Sequence, residues 1–347
     1  MEQTRLFGVL PEGREVHCVA LREGEISCEV ITYGAALRRL LVPDSAGRPT
    51  DIVLGFDRVE DYIAHDAHFG GTVGRFANRI AHGAFSLNGV EYRLACNDGE
   101  NHLHGGPGGF DRLVWTVEHL DVNAVTLCLH SPDGDMGYPG NLDVRVTYTL
   151  SGGSLVIHYE AVSDRDTLCS LTNHAYWNLG GHDSGDVLRQ MLQMSASRYT
   201  LTDGALIPTG QVSEVRGTPM DFSVPTPIGA RIHEPFDALR LAGGYDHNYI
   251  PDTSACARAW SDDTGITLSL TTDRPGVQLY TGNFLGNTPP GKGGARYPKF
   301  GGFCLETQAF PDAPHHENFP SAVLRAGERF ESTTTYSFGI LKKERDA

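Results

Sequence analysis

The chain has 347 residues, of which 40% are hydrophobic and 20% charged, and its formal net charge is −15 at pH 7. This composition is typical of a globular protein with one large domain or two medium ones. The acidic balance without basic clusters argues against a nucleic-acid partner, and no run of roughly eighteen apolar residues indicates a membrane span.

The first predicted element is a short helix from Arg58 to Ala67. A β-hairpin follows, because Asn88-Gly89 separates two short alternating runs. A second short helix is predicted over Val187–Met194, although the residues after it are strand-like. Elsewhere apolar and polar residues alternate with the period of a half-buried β-strand. The alternating runs are Leu142–Leu150, Leu155–Ala161, Ile266–Leu270 and Val277–Thr281.

These elements predict an all-β fold, either a sandwich or a barrel, with few short helices. No linker divides the chain, so we expect one domain over residues 1–347. The seven cysteines are scattered and never spaced as Cys-x-x-Cys, which favours free thiols in a reducing compartment. The first residues do not resemble a secretory signal, so we expect a cytoplasmic protein, either a monomer or a homodimer.

The densest chemistry lies in residues 171–178, where an imidazole, two amides, a phenol and an indole occur together. In an extended chain Thr172, His174, Tyr176 and Asn178 share one face. Aromatic rings beside amide groups suit a ligand with C–H patches and many hydroxyl groups, which describes a sugar. The imidazole can give or accept a proton near neutrality.

A second strand brings Cys304, Glu306 and Gln308 to one face. Apolar neighbours would desolvate the Glu306 carboxyl and raise its pKa towards the range of a general base. The alternative is an exposed glutamate on an edge strand.

Other candidates have open alternatives. His104 precedes a double glycine, in a loop that brings backbone close to a ligand or in an ordinary turn. Arg75 and Arg79 are either site residues or surface ion-pair partners, and Asp246 is a site residue or a turn cap. Gln278 shares a strand face with Tyr280.

Three other classes of site are disfavoured. The close histidine pairs lack the spacing of known zinc motifs, so no metal is predicted. There is no Gly-x-Ser-x-Gly elbow of a serine hydrolase and no glycine-rich phosphate loop of a nucleotide enzyme. The close histidine pairs considered for a metal are His65 with His68, His102 with His104, and His315 with His316.

Several motifs together resemble the aldose 1-epimerase family, also called galactose mutarotases. They occur in the family's order and reach to Ser321. The motifs are Gly-Arg-x-Ala-Asn-Arg-Ile at 74–80, Asn-His-Leu-His-Gly-Gly at 101–106, Ser-Leu-Thr-Asn-His-Ala-Tyr-Trp-Asn-Leu at 170–179, Leu-Ile-Pro-Thr-Gly at 206–210, Tyr-Asp-His-Asn-Tyr at 245–249, Gln-Leu-Tyr-Thr-Gly-Asn at 278–283 and Gly-Phe-Cys-Leu-Glu-Thr-Gln at 302–308.

The resemblance implies a large antiparallel β-sandwich that interconverts the α- and β-anomers of free aldoses such as galactose and glucose, without a cofactor. It implies that Glu306 is the general base, that His174 is the general acid and that His104 assists. The residues implied to bind sugar are Asn78, Arg79, Tyr176, Asp246 and Gln278.

The expected chemistry places an anionic carboxylate and a protonated imidazole on opposite sides of the hemiacetal linkage, about a sugar's width apart. Trp177 or Tyr176 would cover a C–H face of the sugar. The chain departs from the family at Phe300 and at His315-His316-Glu317, which lie near the active-site strand and could tune substrate preference.

Two other functions stay open. A relative acting on hexose 6-phosphates would need cations at the mouth of the pocket, for which the candidates are Lys292, Arg296 and Lys299. A non-catalytic sugar-binding domain could use the same fold, but it would not need both Glu306 and His174.

Overall fold

The computed structural model describes residues 3–342, which form mostly β-strands. The first strands in chain order are β1 (Thr4–Val9), β2 (Glu15–Glu23), β3 (Ile26–Ile31), β4 (Ala36–Pro43), β5 (Pro49–Asp51), β6 (Thr72–Val73), β7 (Arg79–Ile80), β8 (Ala84–Leu87), β9 (Val90–Arg93), β10 (His102–Leu103), β11 (Thr116–Leu120), β12 (Ala124–Ser131), β13 (Leu142–Ser151) and β14 (Ser154–Ser163). The remaining strands are β15 (Thr167–Leu168), β16 (Thr172–Asn173), β17 (Met191–Met194), β18 (Ala196–Thr202), β19 (Pro208–Glu214), β20 (Thr226–Pro227), β21 (Asp246–Pro251), β22 (Ala255–Trp260), β23 (Ile266–Thr272), β24 (Gly276–Tyr280), β25 (Cys304–Gln308), β26 (Val323–Leu324) and β27 (Arg329–Ile340).

Helices are few and short in the described residues. The two α-helices are α1 (Val59–Ala64) and α2 (Asp237–Ala242), and short 3₁₀ turns lie at Ala81–Gly83, Phe110–Arg112, Asp135–Gly137, Ile228–Ala230, Lys292–Gly294 and Ala313–His315. Helix α1 confirms the first predicted helix. No helix in residues 3–342 has the length and apolar character needed to cross a bilayer.

Three antiparallel sheets carry the architecture. A nine-stranded sheet has the order β11-β12-β13-β14-β27-β23-β22-β17-β20, and two five-stranded sheets have the orders β1-β2-β3-β4-β5 and β19-β18-β21-β24-β25. Strand β13 alternates buried and more exposed side chains, as the period of two residues in its sequence predicts. The predicted all-β sandwich is confirmed.

One hydrophobic cluster draws residues from all three sheets, including Leu37 of β4, Val146 of β13 and Leu305 of β25. Polar contacts also join the layers. The Tyr336 hydroxyl of β27 donates to the Leu305 carbonyl at 2.9 Å. The second five-stranded sheet, which contains β21, β24 and β25, is therefore fixed against the large sheet.

The turns follow the sequence closely. The predicted hairpin joins β8 to β9, and both turn residues, Asn88 and Gly89, have positive φ angles of 52° and 76°. Such angles are what a two-residue hairpin turn requires.

The second predicted helix is wrong. Residues Met191–Met194 form strand β17, which pairs with β22 and buries Leu192 and Met194 on one face. The preceding residues form a turn, closed by a hydrogen bond from the Gln190 amide to the Val187 carbonyl. Pairing with a neighbouring strand outweighed the local helical pattern.

Candidate active site

A cavity of about 140 Å³ lies at one end of the second five-stranded sheet. This volume is many times the roughly 10–15 Å³ that one water molecule needs. Distant parts of the chain meet there. The predicted site residues that line it are Asn78, Arg79, His104, His174, Tyr176, Asp246 and Glu306.

Glu306 lies in the middle of β25, directly opposite Gln278 of β24. The residue is 2% exposed, and its Oε2 atom has no hydrogen-bond partner among the described residues. Burial raises the pKa of the carboxyl well above its ordinary value; Asp246 adds to the rise and Arg79 opposes it. The predicted desolvation is confirmed, and the exposed edge-strand alternative is wrong.

His174 follows the short strand β16, and its backbone is held by hydrogen bonds with Gly70 and Gly71. Its Nε2 atom lies 3.6 Å from Oε1 of Glu306. Its Nδ1 atom lies 3.6 Å from Sγ of Cys304. These contacts bring the two predicted catalytic groups to the same wall of the cavity.

The imidazole of His174 is sandwiched between two rings. Tyr176 stacks at a centroid distance of 5.0 Å and an interplanar angle of 24°, and His68 stacks on it at 5.5 Å and 29°. Alternation therefore holds for His174 and Tyr176, which face the same cavity. It does not hold for Asn178, whose amide donates to the carbonyls of Gly185 and Gly301.

Burial disfavours charge on both members of the pair. It lowers the pKa of His174 to about 3, with a further contribution from His68. Burial therefore favours the neutral pair, with a proton on Glu306 and none added to His174. A protonated His174 was expected from the sequence, and desolvation of the ring opposes it. The neutral pair and the ion pair hold the same number of protons.

His104 occupies the loop after β10 with a φ of 52°. The following Gly105 has a φ of 84°, and a Cβ atom there would lie 1.8 Å from the Gly74 carbonyl oxygen. Gly105 thus lets two backbone segments come into contact, and it lets the His104 ring reach the cavity. The backbone N–H of Asn78 donates to Nδ1 of His104 at 3.2 Å, so the neutral ring carries its proton on Nε2.

That hydrogen bond bears on metal binding. One ligand atom from each of His104, His174 and Glu306 lies within 4.8 Å of the other two, which is a possible three-ligand cluster. A metal at Nε2 of His104 would require the ring proton to move to Nδ1, where the amide hydrogen of Asn78 already points. The hydrogen bond from the Asn78 backbone therefore favours His104 as a hydrogen-bond donor through Nε2 rather than as a metal ligand.

The other binding candidates form a linked group. Asn78 accepts a hydrogen bond from the Arg79 amide, and Arg79 Nε donates to Asp98 at 2.7 Å. Asp246 accepts from Nε2 of Gln278 at 2.6 Å. Gln278 is buried beside the cavity rather than in its lining, so its amide supports Asp246.

Some sequence candidates lie elsewhere. Arg75 is not a surface residue: it is 2% exposed and donates to four backbone carbonyls and to Ser131. Trp177 is fully buried and packs on Tyr336, so only Tyr176 of the two aromatic residues reaches the cavity.

None of the three cations proposed for a phosphate, Lys292, Arg296 and Lys299, lines the cavity. Lys292 is 1% exposed and its ammonium donates to Asp51 and to two carbonyls. Lys299 lies over the ring of Phe300 at 4.7 Å. None of the departures, Phe300 or His315-His316, lines the cavity; His315 and His316 instead face Asp312.

The cavity also contains residues that the site prediction omitted. His68, Tyr280, Phe284 and Leu285 belong to its lining. Tyr280 was recognised as sharing a face with Gln278, and His68 was considered only as half of a metal-binding pair. His68 lies in a loop outside the family motifs, so no sequence pattern indicated that it lines the cavity.

Comparison with known proteins agrees with this geometry. Residues 17–337 match the family model described as aldose 1-epimerase. Galactose mutarotase of Bos taurus is 43% identical over 340 residues, covering 96% of this chain and 98% of the relative. Aldose 1-epimerase of Haemophilus influenzae is 35% identical over 346 residues, covering 97% and 99%.

Solved structures show the same fold. An aldose epimerase homologue from C. elegans superposes with a TM-score of 0.87 at 31% identity, covering 94% of this chain and 99% of the other. A galactose 1-epimerase from Lactobacillus acidophilus gives a TM-score of 0.86 at 29% identity and covers 98% of both chains.

Proposed function

The chain belongs to the aldose 1-epimerase family, and on that premise we propose that it interconverts the α- and β-anomers of free aldohexoses such as galactose and glucose. The observation that carries the proposal is the meeting of Glu306 and His174, 3.6 Å apart, in one buried cavity. Glu306 is the general base and His174 is the general acid. The amide, guanidinium and carboxylate groups of Asn78, Arg79 and Asp246 bind the sugar's hydroxyl groups.

The short distance suits the reaction. Opening a pyranose removes the proton of O1 and adds a proton to the ring oxygen. Both oxygens are bonded to C1, so a base and an acid on one wall of the cavity can reach both. The two groups lie 3.6 Å apart, closer than the expected separation of about a sugar's width.

The proton balance follows from the pair's environment. In the ring-opening step the Glu306 carboxylate takes the O1 proton, the His174 imidazolium protonates the ring oxygen, and the C1–O5 bond breaks as the aldehyde forms. This step converts an ion pair into a neutral pair. Burial raises the pKa of Glu306 and lowers that of His174, so the reacting ion pair is reached when the proton of Glu306 moves to His174. Ring opening then returns the two groups to the neutral pair that burial favours.

Rotation about C1–C2 by about half a turn then presents the other face of the aldehyde. Ring closure reverses the two proton transfers and gives the opposite anomer. His104, which presents an Nε2–H donor, can hydrogen-bond a substrate oxygen in both steps. Each well-placed acid or base contributes on the order of 10²–10⁴ in rate.

A neutral hexose is better supported than a hexose 6-phosphate. Phosphate recognition needs accessible Arg or Lys groups, and the ammonium of Lys292 is already occupied by Asp51. A non-catalytic sugar-binding domain would not need a carboxyl and an imidazole placed against each other. The free cysteines of the described residues support a reducing compartment such as the cytoplasm.

Polarimetry of freshly dissolved α-galactose tests the function. The wild-type protein should speed the approach to anomeric equilibrium, and Glu306→Gln should lower kcat/KM by roughly 10²–10⁴. Exposed Glu91→Gln is a matched control, because it makes the same chemical change outside the cavity. Near-wild-type activity of a folded Glu306→Gln protein would remove Glu306 from the mechanism.

Substrate range needs a second comparison. Galactose, glucose, arabinose, xylose and glucose 6-phosphate can be assayed side by side. Faster turnover of the 6-phosphate than of glucose would contradict the assignment to free sugars.

A further inference from the structure

His68 is a third imidazole in the cavity, and the mechanism above does not use it. It lies in the loop after α1 and lines the cavity. Its ring stacks on His174 at 5.5 Å and meets the ring of His104 edge-on at 4.9 Å. His68 thus touches both imidazoles of the proposed mechanism.

Asp111 anchors this ring from behind. The Nδ1 atom of His68 lies 2.7 Å from Oδ2 of Asp111, whose side chain is 4% exposed. Burial alone would raise the pKa of the Asp111 carboxyl, but His68 and Arg112 hold that pKa below its ordinary value. Asp111 is therefore a carboxylate that can only accept, and Nδ1–H of His68 donates to it.

The position of this proton decides what the other nitrogen can do. In neutral His68 the proton lies on Nδ1, so Nε2 carries a lone pair and is a hydrogen-bond acceptor. His104 has the opposite arrangement, with Nδ1 accepting from Asn78 and Nε2–H as donor. Within residues 3–342, no hydrogen bond to Nε2 of His68 is formed.

This inference rests on the proposed function. We propose that His68 is a further sugar-binding residue, whose Nε2 accepts a hydrogen bond from one hydroxyl group of the bound aldose while Asp111 fixes the ring. A hydroxyl group is a natural partner because it supplies the donor that this nitrogen lacks. The cavity would then offer a donor at His104 and an acceptor at His68 on neighbouring sides of one ligand.

A purely structural role would be packing of the His68 ring against His174. The two roles make different predictions for sugars that lack one hydroxyl group. Packing would not distinguish among them, whereas a hydrogen bond singles out one position.

The test combines side-chain changes with deoxygenated substrates. His68→Phe keeps an aromatic ring against His174 and removes both nitrogens, and His68→Gln is a second variant whose amide oxygen can still accept. His119→Phe is the control for the same chemical change, because the His119 side chain is 65% exposed and does not line the cavity. Values of kcat and KM are measured with galactose and with its 2-, 3-, 4- and 6-deoxy analogues.

We expect one deoxy analogue to lose about tenfold in kcat/KM with the wild-type protein, as loss of a buried hydrogen bond predicts. His68→Phe should lose about tenfold with galactose, mainly through KM, and lose nothing further with that analogue. His68→Gln should recover part of the loss, and His119→Phe should keep the wild-type pattern.

If His68→Phe retains the full loss for every deoxy analogue, the proposed hydrogen bond does not exist. Absence of mutarotation by the wild-type protein is a separate result, which would overturn the proposed function before any variant is compared.

A spectroscopic test is independent of turnover. Nitrogen-15 shifts of the histidine rings report which nitrogen carries the proton. Neutral His68 should show a protonated Nδ1 and an unprotonated Nε2, and Asp111→Asn should shift protonation towards Nε2 because an amide can donate to Nδ1. A wild-type ring protonated on Nε2 alone would overturn the assignment of an acceptor.

Discussion

Two buried groups of charged side chains differ in how completely they are paired. The lysine cluster, defined as Lys292, Asp51, Arg38, Glu29 and Asp57, joins the 291–299 loop to the first five-stranded sheet. The cavity pair, defined as Glu306 and His174, lies beside the second five-stranded sheet. Lys292 and the cavity pair are both shielded from water, yet only Lys292 has all its polar hydrogens paired.

The lysine cluster uses its ammonium group fully. Lys292 donates to the Arg38 carbonyl at 2.9 Å, to Asp51 at 2.6 Å and to the Val53 carbonyl at 2.7 Å. An ammonium group has three hydrogens, so each has an acceptor. Burial still lowers the pKa of Lys292 to about 8, with Asp51 opposing the shift.

The cavity pair has hydrogen-bonding groups that the described residues do not satisfy. Glu306 Oε2 has no partner among the described residues, and the 3.6 Å separation from His174 is longer than a good hydrogen bond. Both side chains are nonetheless at most 5% exposed. A buried ionisable group whose hydrogen bonding is incomplete costs stability, and its presence in the wall of a cavity indicates a binding site for ligand atoms.

The difference separates two uses of buried charge. Complete pairing holds a loop against a sheet, and incomplete pairing leaves reactive groups available to a substrate. Changing the first group should therefore affect the free energy of unfolding, and changing the second should affect turnover.

The largest expected effect is on turnover. His174→Asn removes the proposed acid while keeping a hydrogen-bonding side chain, so kcat should fall by roughly 10²–10⁴ in polarimetry of α-galactose. Residual activity is expected from His104, whose Nε2–H remains in the cavity. The melting temperature should change little.

His104→Asn is the comparison variant. It should retain more activity than His174→Asn, because His104 only assists. Loss of activity in His104→Asn alone would show that the acid has been assigned to the wrong imidazole.

The next effect is on folding. Lys292→Met should lower the free energy of unfolding by about 3 kcal/mol, since it leaves Asp51 and two carbonyls without their donor. Chemical denaturation measures this change. The kcat of the folded fraction should stay close to the wild-type value.

Lys299→Met is the matched control from the same loop. Its ammonium is exposed and lies over the Phe300 ring, a contact worth about 0.5–1 kcal/mol at an exposed site. An equal loss of stability in both variants would mean that pairing of Lys292 is not what holds the loop.

The sequence predicted the sheets better than the helices. Strands β13 and β14 were predicted because alternation persists along both. Helix α2 was missed although α1, which was predicted, has the same length of six residues. In α1 the apolar residues Val59, Tyr62 and Ile63 recur at helical spacing, whereas the two leucines of α2 are only two residues apart.

The cavity residues were predicted from the family motifs, and strand alternation grouped only some of them. Glu306 lies on a regular strand, where alternation describes the side-chain direction well. Residues 174–178 lie outside regular strands, so alternation failed for Asn178.

Long-range contacts explain the other errors. Lys292 was a candidate for the pocket mouth, but its partner Asp51 is 241 residues away in sequence. His68 meets Asp111 across 43 residues. Neither pairing has a local pattern, because a contact of this kind is fixed only when distant loops pack together.

The smallest effect concerns stability of the cavity itself and depends on pH. Glu306→Gln imitates the protonated carboxyl. The folded-state pKa of Glu306 is raised well above 4.5, so in the wild-type protein stability is full below the unfolded pKa and is lost as pH rises through the folded pKa. The variant has no carboxyl to ionise, and it should gain relative stability over this range.

The free energies of unfolding measured with urea should therefore agree near pH 4.5 and separate as pH rises, by about 1.4 kcal/mol one pH unit higher, with the inactive variant the more stable. His174 does not reverse the sign, since its pKa of about 3 keeps the ring neutral in this window. A variant that is less stable than the wild-type protein at pH 7 would show that the Glu306 carboxylate is satisfied in the fold. The contrast with the lysine cluster would then fail, because both buried groups would stabilise the protein in the same way.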